Sequence, residues 1–142
     1  MTASFTYTTW TPDLATGDAH IDDQHKQLID YLNQLFDAHK SDKGSKEVKR
    51  TMVFLVDYTV KHFGDEQAFL AKHNYPDLPR HKQIHADFTA TAKKLLEDLA
   101  QDISDGGPSD EFITNVYGIV GKWVINHIKG EDLKWAEYLR NK

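Results

Sequence analysis

Two side chains four positions apart, His62 and Glu66, begin the chemistry open to this chain. On a helix, residues at that spacing lie about 40° apart in azimuth and about one turn apart in height, so both can reach one point beside the axis. His81 and His85 repeat the spacing with two imidazoles. His25 stands upstream in Asp22-Asp23-Gln24-His25-Lys26, and His127 and Asp132 follow downstream in His127-Ile128-Lys129-Gly130-Glu131-Asp132. Each has a plainer reading alone: a single histidine on an apolar face is more often a core residue than a ligand. The segments together place ligand-type residues on every long helical stripe of the chain, a coincidence that points to a metal site.

The donor set narrows the metal. Cysteine is absent, which removes disulfides, thiolate zinc and iron–sulfur clusters. Five imidazoles and two carboxylates are too many for one tetrahedral zinc and too rich in nitrogen for magnesium or calcium. Imidazole suits iron, copper, nickel or zinc, and carboxylates able to bridge point to a pair of ions. The Glu-x-x-His motif of ferritin-like di-iron bundles is missing. A histidine-dominated dinuclear site is the expectation.

The elements that must position these residues are readable from apolar spacing. A first helix is expected from about Asp18 to His39, with Ile21, His25, Leu28, Leu32 and Leu35 inward. After a turn at Ser41 to Ser45, a second runs from about Lys46 to Lys72 with Val48, Met52, Leu55, Thr59, His62, Glu66 and Phe69 inward. Asn74-Tyr75-Pro76-Asp77-Leu78-Pro79 separates it from a third, about Pro79 to Ser104, bearing His81, His85, Phe88, Ala92, Leu95 and Leu99. Asp105-Gly106-Gly107-Pro108 breaks the chain again, and Ser109 or Asp110 caps a fourth helix carrying Phe112, Val116, Ile119, Trp123 and His127 inward. His127 and Asp132 are five apart, about 140° around an ideal helix. Asp132 can join the site only if the helix distorts or ends between them, and Gly130 is the expected break. A short helix from about Glu131 to Arg140, with Leu133, Trp135 and Leu139, closes the chain.

The fold class is therefore all-α: an up-down-up-down four-helix bundle with an extended N-terminal arm and a short C-terminal helix. The 142 residues are expected to form a single domain, divided into an arm over 1–17, a bundle over 18–130 and the last helix over 131–142. Phe5, Tyr7 and Thr9 alternate as a short strand would, and Trp10 is expected to anchor the arm on the bundle. Net charge is −5 with basic residues scattered, which argues against nucleic acid. The first basic residue is Lys26, no apolar leader precedes it, and no run is long enough to span a bilayer. A cytoplasmic protein, not embedded in a membrane, is expected.

In their order along the chain, His25, His62-x-x-x-Glu66, His81-x-x-x-His85 and His127-x-x-x-x-Asp132 resemble the ligand signature of the hemerythrin family. The residues around His25, the His62-Phe63 pair and Tyr75-Pro76 resemble its bacterial branch, the bacteriohemerythrins. The resemblance runs from about Trp10 to Asp132. It implies a non-haem di-iron site that binds dioxygen reversibly. It assigns His81, His85 and His127 to one iron, and His25 and His62 to the other, which keeps an open position. Glu66 and Asp132 would bridge the two irons together with an oxo or hydroxo group. Phe63, Trp123, Val124 and Ile128 resemble the family's apolar wall around dioxygen, and core residues can serve as that wall. His20, His39 and His73 match no ligand position and are expected to be solvated or at helix ends.

The function implied is dioxygen storage, delivery or scavenging by a monomer, not an enzyme, with a membrane oxygenase or oxidase as the recipient. Two other classes stand beside it. One is an oxygen- or redox-sensing module acting through a partner. The other is a di-iron peroxidase or nitric oxide reductase, although no additional acid–base residue is evident for such chemistry.

Overall fold

The structure, a computed structural model, describes residues 8–41 and 44–142. Four long helices make the bundle: α1 (Ala19–Lys40), α2 (Ser45–Lys72), α3 (Leu78–Ser104) and α4 (Asp110–His127). Each packs on its neighbours in sequence, and α1 packs on α4 to close the ring. This is the up-down-up-down arrangement that short connections favour. No strand occurs among the described residues.

The ends of the helices follow from local chemistry. Asp18 caps α1 by accepting from the Ile21 amide, and Ser109 caps α4 by accepting from the Phe112 amide. α2 ends in a Schellman turn: the Asn74 amide reaches the Ala71 carbonyl and the Tyr75 amide the Leu70 carbonyl, with Asn74 at φ 56°. Tyr75 then packs into the same apolar cluster as Leu70, the contact that usually accompanies this turn. α3 ends the same way, with Gly106 at φ 106° in the left-handed position and the Gly107 amide bonded to the Asp102 carbonyl. Glycine suits that position because it has no Cβ to clash.

The inward stripes of α1 and α3 are buried as expected, and so is that of α2 except for Phe69, which is partly buried. α4 differs. Its buried face is Ile113, Val116, Tyr117, Val120, Gly121, Val124 and His127, whereas Ile119 is 39 % exposed and Phe112 and Trp123 are only partly buried. The helix is apolar over much of its circumference, so two overlapping stripes fit its sequence equally well. Close approach to α1 and to the arm selects between them. A Cβ at Gly121 would meet Thr8 Oγ1 at 3.1 Å and Leu32 Cδ2 at 3.4 Å.

The arm lies against the bundle over the residues described. Tyr117 Oη sits 2.5 Å from the Thr8 amide and donates to Asn33 Oδ1, while Asn33 Nδ2 donates to the Thr8 carbonyl. Trp10 packs against the core with the Lys26 ammonium 4.4 Å from its ring centroid, and Leu14, in a short 3-10 turn over Pro12–Leu14, is fully buried. Trp10 thus acts as the anchor its position suggested. Phe5 and Tyr7, whose alternation would allow a short strand with nothing to pair with, lie outside the described residues, and Thr9 is not in a strand.

The C-terminal end also corrects an expectation. The chain does not break at Gly130. It continues helically through a π-helical turn, Ile128–Asp132, into α5 (Leu133–Arg140). No helix among the described residues is long and apolar enough to cross a membrane.

Candidate metal centre

All seven residues singled out from spacing converge at one end of the bundle. α1 supplies His25, α2 supplies His62 and Glu66, and α3 supplies His81 and His85. His127 ends α4 and Asp132 ends the π-helical turn. That turn solves the five-residue spacing. The Leu133 amide bonds to the Ile128 carbonyl, five residues back, so the backbone is wound more widely than an α-helix. The wider winding brings Asp132 to the face that His127 occupies, and Trp135 Nε1, fully buried, lies 3.3 Å from Asp132 Oδ1. A buried indole N–H needs such an acceptor.

The distances divide the candidate ligand atoms into two sets. Glu66 Oε1 lies 2.6 Å from His81 Nε2 and 3.2 Å from His85 Nε2. Asp132 Oδ1 lies 3.2 Å from His127 Nε2 and 3.4 Å from His81 Nε2, and the His85 and His127 Nε2 atoms are 3.2 Å apart. On the other side, Glu66 Oε2 faces His62 Nε2 at 3.3 Å and His25 Nε2 at 3.6 Å, and Asp132 Oδ2 faces His25 Nε2 at 3.0 Å. Each carboxylate therefore turns one oxygen to each group of imidazoles. Donor atoms spaced by roughly 3 Å are what adjacent ligands show around an ion held by bonds of about 2.1 Å at right angles.

Hydrogen bonding within the cluster leaves several buried polar atoms unsatisfied. Glu66 and Asp132 are 0 % exposed. Two carboxylates buried together repel each other, and a buried charge needs a partner. His25 Nδ1 and Nε2, His81 Nδ1, Glu66 Oε2 and Asp132 Oδ2 have no hydrogen-bond partner. The approach of His25 Nε2 to Asp132 Oδ2 is close enough for an ion pair but misaligned for a hydrogen bond. Buried atoms of this kind are ordinarily satisfied, so their clustering marks a place built for a ligand. The cluster could hold metal ions, and imidazole with carboxylate is a donor set for a first-row transition metal.

Protonation follows the same competition. Burial lowers the His25 and His81 imidazoles, but Asp132 and Glu66 outweigh it and raise both to about 9. Burial wins at His85, which falls to about 4. Burial would raise Glu66, yet the surrounding imidazoles, His25 foremost, hold it well below the usual range. Burial and the like charge of Glu66 would raise Asp132 too, and His127 and His25 hold it low instead.

Several supporting residues are not evident from spacing alone. Gln24 Oε1 lies 2.8 Å from His62 Nδ1, and Gln67 Oε1 lies 2.9 Å from His85 Nδ1. Arg80 grips Glu131 through two hydrogen bonds of 2.7 and 2.8 Å, tying the start of α3 to the π-helical turn. Their only signal in the sequence is adjacency: Gln24 precedes His25, Gln67 follows Glu66, and Arg80 and Glu131 precede His81 and Asp132.

The residues expected to wall the site are all buried or partly buried. Phe63 stacks on the His85 ring at 3.9 Å between centroids, and Trp123 stacks on His127 at 4.3 Å. Val124 and Ile128 lie in the adjoining apolar core. An open groove of about 540 Å³ between α2 and α3 is lined by Phe63, Gly64, Gln67 and His85 among others, and so borders the His85 side of the cluster. Of the other histidines, His20 is exposed, and His73 caps the end of α2 against Phe69. His39 is partly buried and lies 2.6 Å from Asp110.

The family model described as the hemerythrin HHE cation binding domain matches residues 16–139. The chain belongs to the hemerythrin family. A bacteriohemerythrin of Stenotrophomonas maltophilia is 31 % identical over 131 residues, covering 92 % of this chain and 80 % of the relative. A bacteriohemerythrin of Pseudomonas aeruginosa is 28 % identical over 134 residues, covering 93 % and 81 %. A crystal structure of wild-type hemerythrin superposes with a TM-score of 0.80 at 26 % identity, covering 93 % of this chain and 97 % of that one.

Proposed function

We propose that this hemerythrin-family chain binds dioxygen reversibly at a non-haem di-iron centre, for storage, delivery or scavenging and without catalytic turnover. The observation that carries the reading is the division of each buried carboxylate between two groups of imidazoles. In this reading His81, His85 and His127 hold one iron and His25 and His62 the other. Glu66 and Asp132 would serve both irons, together with an oxo or hydroxo group. The whole chain, 1–142, acts as one such unit.

Two reduced iron ions held by these residues would supply the electrons that reversible dioxygen binding needs. The chain's own residues do the remainder. Glu66 and Asp132, both 0 % exposed, bring two negative charges into the buried cluster, which lowers the electrostatic cost of concentrating cations there. The five imidazoles must be neutral to serve as ligands, so loading displaces the protons that His25 and His81 carry when metal-free. Phe63, Trp123, Val124 and Ile128 keep the surroundings apolar, which limits water access and irreversible oxidation. The recipient that suits such a carrier is a membrane oxygenase or oxidase.

An optical titration of the reduced protein, with its iron counted, tests the proposal. Dioxygen is admitted and then withdrawn under vacuum. A charge-transfer band that forms and disappears over repeated cycles, at two irons per chain, is the expected result. A band that never forms, or that decays to a ferric state unaffected by removing the gas, points to a sensor or an enzyme.

A further inference from the structure

One buried carboxamide connects the cluster to the surface in a way that fixes a proton. Gln24 is 2 % exposed and makes two directional contacts. Its Oε1 lies 2.8 Å from His62 Nδ1, and its Nε2 donates to Asp65 Oδ2 at 2.7 Å. Asp65 also accepts from the Lys61 ammonium at 2.8 Å, and His20 Nε2 stands 3.7 Å away. The outer end of this chain is wet, since the Asp65 side chain is 38 % exposed.

A carboxylate accepts hydrogen bonds and cannot donate them, so the Gln24 amide must present its nitrogen to Asp65. Its oxygen is then the atom that faces His62. An amide oxygen accepts only, so the proton of the His62 ring must sit on Nδ1. The lone pair is left on Nε2, the atom 3.3 Å from Glu66 Oε2. The acceptor-only character of Asp65 is thus transmitted through Gln24 to the tautomer of His62. Gln67 contacts His85 Nδ1 in a similar way. No second partner of Gln67 is present among the described hydrogen bonds to fix which way its amide points.

We propose that Gln24, oriented by Asp65, is a positioning residue that sets the tautomer and aim of His62 and so governs retention of the metal held by His25 and His62. The inference rests on the di-iron reading for its consequence, but the relay itself is a property of the protein chain. Partners of this kind typically change metal affinity about 10- to 100-fold.

The test uses the full chain with Gln24→Ala, Asp65→Asn and the double swap Gln24→Glu with Asp65→Asn, which moves the carboxylate one step inward. Ferrous iron is titrated anaerobically and the ions retained per chain are counted, with helical content and Tm as controls. Gln24→Ala should release one of two irons about 10- to 100-fold more readily and keep the other. Asp65→Asn should act in the same direction more weakly, because an amide can face Gln24 with either end. The double swap should restore retention. Wild-type retention in Gln24→Ala overturns the proposal, and so does loss of both irons together with a lowered Tm and no rescue. Nitrogen NMR of the imidazoles in the metal-free chain, above pH 9, separates this proposal from the di-iron reading. His62 should carry its proton on Nδ1 in the wild type and lose that preference in Gln24→Ala. A proton on Nε2 in the wild type overturns the relay even where two irons bind. A wild type that fails to hold two irons yet keeps the Nδ1 proton overturns the di-iron reading instead, and with it the consequence for metal.

Discussion

The two ends of the bundle are built from the same helices and the same amphipathic spacing, but they are filled with opposite materials. At one end Leu35, Ala38, Val48, Met52, Leu99, Ile113 and Val116 close an apolar core. At the other, the same stripes carry His25, His62, Glu66, His81, His85 and His127, and Asp132 joins them from the π-helical turn. The apolar end is complete in itself, because close-packed aliphatic side chains gain all their stabilisation on folding. The polar end holds buried atoms without partners and two carboxylates side by side. One end thus holds the helices together, and the other uses that rigidity to keep a costly set of buried imidazoles and carboxylates in place.

Four changes would break or sharpen this contrast. The largest effect is expected from Glu66→Ala, which removes a ligand from both sets of donors at once. Two-iron binding should be abolished, with the metal-free chain still helical by circular dichroism. Unfolding of that variant would mean that the polar end is structural. Next comes Leu35→Ala at the apolar end, where the side chain is fully buried. It should cost about 2–5 kcal/mol in denaturant unfolding. Iron content should stay at the wild-type level, and a loss of iron would show that the two ends are not separable.

A smaller effect, but one with a definite sign, concerns pH. His25 and His81 titrate near 9 in the metal-free fold, against an ordinary value of 6.5. Their protonation therefore stabilises that fold fully below pH 6.5, and the contribution is lost as pH rises through about 9. Metal needs both rings neutral, so loading at pH 7 should release protons from His25 and His81, fewer as pH approaches 9, leaving above it only those given up by the solvent-derived bridge. A pH-stat during iron addition measures this, and release that does not fall with rising pH would contradict it. The smallest effect is expected from Arg80→Ala. The guanidinium is half exposed, so solvent screening should leave its pair with Glu131 contributing little to stability. Any larger change should appear in iron retention, since Glu131 neighbours Asp132.

Much of this was legible in the chain because periodicity and chemistry coincided. His62 and Glu66 fall on the buried stripe of α2, where a carboxylate makes sense only with a partner, and His81 and His85 do the same on α3. The α4 face was less legible. With apolar residues at Phe112, Ile113, Val116, Ile119, Val120, Trp123 and Val124, spacing alone could not choose a stripe, and the choice depended on the arm and on Gly121. The distortion needed between His127 and Asp132 could be inferred from the five-residue gap, but not its form. Glycine suggested a break, whereas a π-helical turn keeps every residue helical and still delivers Asp132. Gln24 and Gln67 stayed hidden because a glutamine beside a ligand has no periodicity to betray it. Only the Nδ1 contacts single them out.

The most direct measurement of the central claim is anomalous X-ray scattering at the iron edge from crystals of the loaded protein. Two peaks are predicted, separated by about 3.5–4 Å. One should lie among His81, His85 and His127 and the other beside His25 and His62, with Glu66 and Asp132 between them. A single peak, or a second one outside this cluster, would contradict the division of the carboxylates between two metals.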